Sequence, residues 1–142
     1  MRQLDSWWFP PLVPVMERLM IPGITLHYVL RKRYIEDYTL KMLYAGCTQV
    51  LNLGAGFDTL AYRLAKRYPD VDFIEVDHPA THQVKTQTLM TLEETYENLH
   101  FLPVDFTTQR TEDVLKQSSR VASGTPTLCI LEGVLMYPKS CK

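Results

Sequence analysis

The fold is decided by two short stretches, Val-Leu-Asn-Leu-Gly-Ala-Gly-Phe-Asp-Thr at residues 50–59 and Phe-Ile-Glu-Val-Asp at residues 73–77. The first predicts a buried strand that passes through a Gly-x-Gly turn into a helix, and the second predicts a strand that ends in an acid. Glycine is needed at Gly54 and Gly56 because a Cβ there would meet a ligand or forbid the turn. Asp77 can accept hydrogen bonds from two ribose hydroxyls. Together the stretches predict a cleft for a nucleoside cofactor.

The residues that follow the turn discriminate between cofactors. A dinucleotide fingerprint has a third glycine three residues after the second, and this chain has Thr59 there. Asp58 is expected to cap free N–H groups at the start of the helix, which is the positive end that a pyrophosphate would need. The turn therefore favours a positively charged cofactor without phosphate, S-adenosylmethionine, over NAD.

The composition of the 142-residue chain argues against several kinds of function. A net charge of −1 gives no basis for nucleic-acid binding. No uninterrupted apolar run reaches the roughly 18 residues that span a membrane. The three cysteines, Cys47, Cys129 and Cys141, lack metal-ligand spacing, which predicts no metal site and a reducing, cytoplasmic compartment. Cys47 and Cys129 lie in apolar segments and are predicted to be buried, inert thiols.

Predicted helices and strands alternate along the chain. The helices are residues 12–20, 25–45, 59–67, 79–92 and 112–118, and the strands are residues 49–53, 71–76, 99–104 and 127–131. Thr25 is expected to cap the second helix and Gly46 to follow its end. The alternation predicts an α/β fold with a Rossmann-like, doubly wound, mostly parallel sheet. We expect residues 1–46 to form an N-terminal helical arm or lid, and residues 47–142 to form a cofactor-binding half-domain.

Several motifs in this order resemble the leucine carboxyl methyltransferase family, whose members are class I S-adenosylmethionine-dependent O-methyltransferases. The motifs are Arg-Lys-Arg-Tyr-Ile-Glu-Asp at residues 31–37, Asn-Leu-Gly-Ala-Gly-Phe-Asp-Thr at 52–59, Glu-Val-Asp-His-Pro at 75–79 with Lys85, Pro-Val-Asp-Phe at 103–106, and Leu-Glu-Gly-Val-Leu-Met-Tyr at 131–137. The resemblance implies a partial class I methyltransferase fold, and it implies S-adenosyl-L-methionine as the cofactor.

The resemblance also assigns roles near the glycine turn. Gly54 would lie against the methionine portion of the cofactor, with Gly56 keeping the turn open, and Asp77 would bind the ribose hydroxyls. Glu132, directly after the last predicted strand, would lie near the sulfonium or the amino group of the cofactor. A carboxylate is attracted to either cation at low dielectric.

Three further residues receive roles from the resemblance. Asp105 would accept a hydrogen bond from the adenine amino group, with the backbone of Phe106 nearby. Arg31 would pair with the cofactor carboxylate, and Arg33 is the alternative. Two of these roles have a competing interpretation from the residues alone. Arg31 can pair with an acid on its own helix, Glu36 or Asp37, and Asp105 can simply cap the turn that follows it.

The chain departs from the family in length. Relatives are about twice as long, and a class I methyltransferase sheet has seven strands, of which four are predicted here. Where the family continues into another helix, this sequence reads Tyr-Pro-Lys-Ser-Cys-Lys at residues 137–142. We therefore expect a chain that ends after the fourth strand and leaves one sheet edge unpaired, through which it can associate with another copy.

The expected activity is methyl transfer to an oxygen atom. No residue presents itself as a general base, since His78 and His82, near a predicted helix start, are interpreted as caps or surface residues. That favours a carboxylate acceptor, on a small molecule or a protein C-terminus, although a hydroxyl stays open. No catalytic residue is assigned. The alternatives are a catalytically silent fragment that acts as a binding module, and an NAD-type dinucleotide-binding domain.

Overall fold

A computed structural model of the chain describes residues 22–91 and 96–132. The helices are α1 (Ile24–Tyr44), α2 (Leu60–Arg67), α3 (Pro79–Met90) and α4 (Thr111–Gln117), and the strands are β1 (Gln49–Leu53), β2 (Asp72–Asp77), β3 (Leu99–Pro103) and β4 (Thr127–Leu131). Every one of these elements was predicted, with ends that agree to within two residues. The helix predicted at residues 12–20 lies outside the described residues. The chain divides into two compact units, residues 1–40 and residues 41–142.

The four described strands form one sheet in the order β3-β2-β1-β4, and every neighbouring pair is parallel. The register places Leu53 of β1 opposite Val76 of β2 and opposite Leu131 of β4. Asp77 lies opposite Pro103 of β3. Because parallel strands end at the same edge, the residues that follow all four strands meet there. The predicted α/β fold with a parallel sheet is confirmed.

Helices cover both faces of the sheet. One face carries Ile74 and Val76, which form a buried cluster with Leu51 and Val104, and two side chains of α4, Val114 and Leu115, pack against it. Alternate residues of a strand point to the opposite face. On that face Glu75 contacts Lys85 of α3. Phe101, which lies opposite Glu75 on β3, contacts His82 of the same helix. The sheet is therefore doubly wound, as predicted.

The sequence predicted the C-terminal end of α1 correctly, but it did not predict the N-terminal cap correctly. At the C-terminal end, Gly46 donates its N–H to the Leu43 carbonyl and Cys47 donates to the Met42 carbonyl, each at 3.0 Å. These are the two hydrogen bonds of a Schellman motif, so the predicted end at Gly46 is confirmed. The predicted cap at Thr25 is wrong, because the helix already begins at Ile24.

The two described cysteines differ in their exposure to solvent. Cys47 is buried, and its thiol lies 3.3 Å from the carbonyl oxygen of Pro126. Cys129 is exposed, so the prediction that it is a core thiol is wrong. The physical reason is its place on β4, which among the described residues pairs only with β1 and has neighbours on one side. None of the described helices is both long enough and apolar enough to cross a membrane.

Candidate functional site

The candidate site is the edge of the sheet where the four strands end. Gly54 follows β1 and Glu132 follows β4, and the register sets both level with Asp77, the last residue of β2. Asp105 lies two residues beyond the end of β3. Four residues predicted from separate stretches of sequence thus come to one edge of the sheet.

The glycine turn bends back onto the end of β2. Gly54 and Gly56 have φ angles of +68° and +53°, in the region that side chains rarely adopt. The N–H groups of Gly54 and Ala55 both point to the Val76 carbonyl, at 2.7 and 3.3 Å. A Cβ built on Gly56 would meet nothing closer than a carboxylate oxygen of Asp77, at 4.0 Å. The turn therefore requires glycine for its conformation and presents bare backbone beside that carboxylate.

Asp77 connects the glycine turn to the ends of β2 and β3. Its Oδ2 accepts a hydrogen bond from the N–H of Gly56, and its Oδ1 accepts one from the N–H of His78 at 2.5 Å. Its backbone carbonyl accepts the N–H of Val104 at 2.8 Å. Each carboxylate oxygen has two lone pairs, so one on each remains for a further donor. Asp77 is half-buried, oriented from both sides and able to accept two more hydrogen bonds.

Asp58 occupies the start of α2. Its Oδ1 accepts the N–H of Leu60, the first residue of the helix, at 2.8 Å. The predicted interaction with free N–H groups is therefore confirmed, although Asp58 lies one residue before the N-cap position, which is Thr59. Because a pyrophosphate binds through such N–H groups, the carboxylate of Asp58 competes with it for the same position.

Asp105 makes its hydrogen bonds within its own turn. Its Oδ1 accepts the backbone N–H of Thr107 at 2.9 Å and the hydroxyl of the same residue at 2.6 Å. These bonds hold the pKa of the Asp105 carboxyl below its usual value. Its own N–H donates to the side chain of Gln109 at 3.0 Å. The geometry agrees with the turn-capping interpretation, and the adenine contact stays a prediction.

Three other residues keep their roles as predictions. Glu132 is half-buried directly after β4, and Phe106 is exposed beside Asp105. Arg31 lies on α1, where its guanidinium is 4.5 Å from the centre of the Tyr28 ring. The motif residues 133–137 lie outside the described residues.

The two histidines near α3 have different environments. His78 is the N-cap of the helix, and its Nδ1 accepts the N–H of Ala80 at 3.2 Å, so its interpretation as a cap is confirmed. His82 is only 4% exposed, and its ring packs edge-on against Phe101 with 5.6 Å between ring centres. No described residue hydrogen-bonds either ring nitrogen, and burial lowers the pKa of His82. The expectation of a cap or surface residue is wrong for His82, because this face of α3 packs on the sheet.

An ion pair beside the glycine turn had no role assigned from the sequence. Glu75 is completely buried and its Oε2 lies 2.5 Å from the ammonium of Lys85, which is 5% exposed. Burial raises the pKa of the Glu75 carboxyl, and the neighbouring ammonium opposes that shift. The signal was present in the sequence, since an acid inside the apolar strand Phe-Ile-Glu-Val needs a buried partner.

Comparison with known proteins identifies the family. Residues 10–140 match the leucine carboxyl methyltransferase family. YktD of Bacillus subtilis (strain 168), provisionally named an S-adenosyl-L-methionine-dependent methyltransferase, is 36% identical over 108 residues, which are 75% of this chain and 35% of YktD. A protein of Mycolicibacterium gilvum (strain PYR-GCK), named in the same way, is 32% identical over 137 residues, which are 95% of this chain and 42% of that protein.

The chain therefore belongs to the leucine carboxyl methyltransferase family, and the resemblance drawn from its motifs is confirmed. It spans about 35–42% of the length of these two curated relatives. Among solved structures, the apo form of the S-adenosylmethionine-dependent methyltransferase SibL aligns with a TM-score of 0.38 and 21% identity, over 63% of this chain and 27% of SibL.

Proposed function

We propose that this chain binds S-adenosyl-L-methionine at the carboxyl edge of its sheet and forms the cofactor-binding part of an O-methyltransferase. The observation that carries the proposal is the contact between Asp77 and the N–H of Gly56. This contact joins an oriented carboxylate to a turn of bare backbone, and that is the pair of features a nucleoside requires. Family membership and the names of the relatives support the same cofactor.

The residues at the site fit the chemistry of this cofactor. The free lone pairs of Asp77 suit the two ribose hydroxyls, because a carboxylate accepts both at once. The backbone around Gly54 admits a close approach by the methionine portion, and Glu132 supplies a negative charge at the same edge. Asp105 and Phe106 would meet the adenine, and Arg31 would pair with the cofactor carboxylate. When bound, the cofactor supplies a methyl group activated by its sulfonium.

The start of α2 argues against the dinucleotide alternative. The Asp58 carboxylate accepts the Leu60 N–H that a pyrophosphate would use. A phosphate at this position would also lie beside a like charge, which costs binding free energy. S-adenosyl-L-methionine has no phosphate and meets neither obstacle.

The acceptor is proposed to be a carboxylate or a hydroxyl, on a small molecule or at a protein C-terminus. Transfer requires the acceptor oxygen to be held in line with the methyl group at about 3 Å. Of the two histidines near the start of α3, His78 is used as a helix cap and His82 is buried against Phe101. A carboxylate acceptor, which needs no base, is therefore favoured. Separately, the cytoplasm is the proposed compartment.

A calorimetric titration of the full chain with S-adenosylhomocysteine and, separately, with NAD tests the proposal. We expect a dissociation constant on the order of micromolar for S-adenosylhomocysteine, and no saturable heat with NAD. Asp77→Asn is expected to weaken the binding of S-adenosylhomocysteine, and Asp72→Asn is its matched control, because Asp72 lies at the opposite end of β2 and is exposed. The control is expected to bind as the wild type does. Binding of NAD in preference to S-adenosylhomocysteine would contradict the proposal.

A second candidate function is association through β4. Leu131 on this strand is 44% exposed and Cys129 beside it is also exposed. Among the described residues β4 pairs only with β1, and apolar residues on such a strand edge favour pairing with another chain. Light scattering across a concentration series would detect a dimer, and Leu131→Lys is expected to abolish it. A monomer at every concentration would rule out this candidate.

A further inference from the structure

The ion pair between Glu75 and Lys85 lies where the glycine turn meets the sheet. Lysine is almost never fully buried unless it is paired, and here both charged groups are removed from water. Glu75 explains why the ammonium can be buried. It does not explain what the lysine does there, since apolar residues of similar volume are often as stable as a buried ion pair.

Lys85 makes a second contact that points to its role. Its ammonium donates a hydrogen bond to the backbone carbonyl of Asp58. The N–H of that same residue donates to the Ala55 carbonyl at 2.9 Å, and its side chain accepts the N–H of Leu60. Asp58 therefore links the turn that contains Gly56 to the start of α2, and the lysine holds it from α3.

The glycine turn is thus held from two sides. Asp77 of β2 binds the N–H of Gly56, and Lys85 of α3 binds the carbonyl of Asp58, two residues further on. A backbone with positive φ angles at Gly54 and Gly56 has many alternative conformations when it is not restrained. Ordering such a turn before the ligand arrives lowers the entropy that binding must lose.

We propose that Lys85 is a positioning residue for cofactor binding: neutralised by Glu75, its ammonium holds the Asp58 carbonyl and keeps the glycine turn in its binding conformation. This inference rests on the proposed cofactor site. The competing explanation is that the ion pair only stabilises the fold. The two explanations differ when both charges are removed together, because the fold then loses an ion pair without keeping a lone buried charge.

Four forms of the full chain separate the explanations: wild type, Lys85→Met, the double variant Glu75→Met/Lys85→Met, and the control Glu112→Gln/Lys116→Met. The control removes an exposed ion pair of the same residue types, at 2.6 Å on α4. Each form is unfolded in urea, titrated with S-adenosylhomocysteine, and examined by amide NMR before the titration. We expect Lys85→Met to have a lower urea midpoint, since it leaves Glu75 buried without its partner.

The double variant gives the decisive result. We expect its urea midpoint to return toward that of the wild type, while its affinity for S-adenosylhomocysteine stays about tenfold weaker, the equivalent of one charge-assisted hydrogen bond. The amide resonances of Gly56 and Asp58 should already move in the free double variant. The control should match the wild type in affinity. Wild-type affinity and unmoved amides in a folded double variant would overturn the proposal.

The test also separates this inference from the proposed function. Failure of the folded wild type to bind S-adenosylhomocysteine counts against the proposed function, whereas the Gly56 and Asp58 amides still test the loop contact by themselves. If neither Met variant folds, the wild type alone is used for the test. The measured quantity is then the rate at which its Lys85 ammonium protons exchange with solvent. Slower exchange on adding S-adenosylhomocysteine supports the positioning role, and unchanged exchange with the ligand bound contradicts it.

Discussion

Asp77 and Asp105 each end a strand or follow one closely, at the same edge of one sheet, yet they use their carboxylates differently. Asp77 accepts hydrogen bonds from Gly56, which is 21 residues away, and from His78, its neighbour. The Oδ1 of Asp105 accepts two hydrogen bonds from Thr107, which is two residues away. The first carboxylate joins separate segments of the chain, whereas the second closes a local turn. The sequence predicts where the two residues lie, but only the structure shows which groups their carboxylates bind.

The largest expected difference is in cofactor affinity after removal of each charge. Asp77→Asn replaces one carboxylate oxygen with an NH2 group, which cannot accept a backbone N–H, and it removes the charge that would face the ribose in the proposed site. We expect its affinity for S-adenosylhomocysteine to fall about 100-fold, the loss of one or two charged hydrogen bonds. Asp105→Asn should lose no more than about tenfold, because its proposed contact with the adenine is a single hydrogen bond. Calorimetric titration measures both.

Equal losses in the two variants would contradict this ranking. So would a larger loss for Asp105→Asn, which would mean that the adenine contact dominates and that the turn bonds to Thr107 serve to orient the carboxylate.

A smaller effect is expected at the turn that Asp77 holds. Gly56→Ala places a side chain at a φ of +53°, and Gly124→Ala does the same at +78° in a loop away from the site. Added Cβ atoms meet no close neighbour at either position. Both variants should therefore lose about 1–2 kcal/mol of unfolding free energy to backbone strain, measured by urea denaturation.

The two alanine variants should differ in binding. Gly56→Ala covers backbone beside Asp77 and is expected to weaken binding of S-adenosylhomocysteine about tenfold, by about 1.4 kcal/mol. Gly124→Ala is expected to bind normally. Normal binding by Gly56→Ala would show that the cofactor does not approach the turn.

The smallest effect is a change in the titration of His82. Burial lowers the pKa of this histidine, and the negative charge of Asp77 opposes the shift. Asp77→Asn should therefore lower the pKa of His82 further, while Asp105→Asn should leave it unchanged. NMR titration of the histidine ring measures both, and an unchanged pKa in Asp77→Asn would contradict the account.

The same lowered pKa predicts how stability depends on pH. In the unfolded chain His82 takes up a proton near its ordinary pKa of about 6.5, and in the folded chain it does so only at lower pH. Its contribution to stability is therefore complete above about pH 6.5 and is lost as the pH falls below it, by at most about 1.4 kcal/mol per pH unit. His82→Phe should reduce this dependence in urea unfolding measured between pH 5 and 8.

The sequence predicted most of the described fold because its signals are local. Runs of β-branched and aliphatic residues mark the strands, and glycine and proline mark their ends. It predicted the edge at which Gly54, Asp77 and Glu132 meet, because parallel strands end together. It failed where the outcome depends on which neighbours cover a side chain. Cys129 and His82 are the examples, since the first is exposed on β4, which pairs only with β1 within the described ranges, and the second is buried under α3.

The Glu75–Lys85 pair could be predicted from the sequence only in part. The acid inside an apolar strand signals that a partner exists, but ten residues separate the two and the sequence contains many other lysines. The contact of Lys85 with a backbone carbonyl has no sequence signal at all, because any residue at position 58 has that carbonyl.

The most direct test of the central claim, that the carboxyl edge of this sheet binds the cofactor, is an amide NMR titration of the full chain with S-adenosylhomocysteine. The account predicts saturable shifts of the amide resonances of Gly54, Gly56 and His78. The resonance of Thr127, at the amino ends of the strands, should not move. A dispersed, folded spectrum in which the three site amides do not respond, or respond no more than that of Thr127, would contradict it.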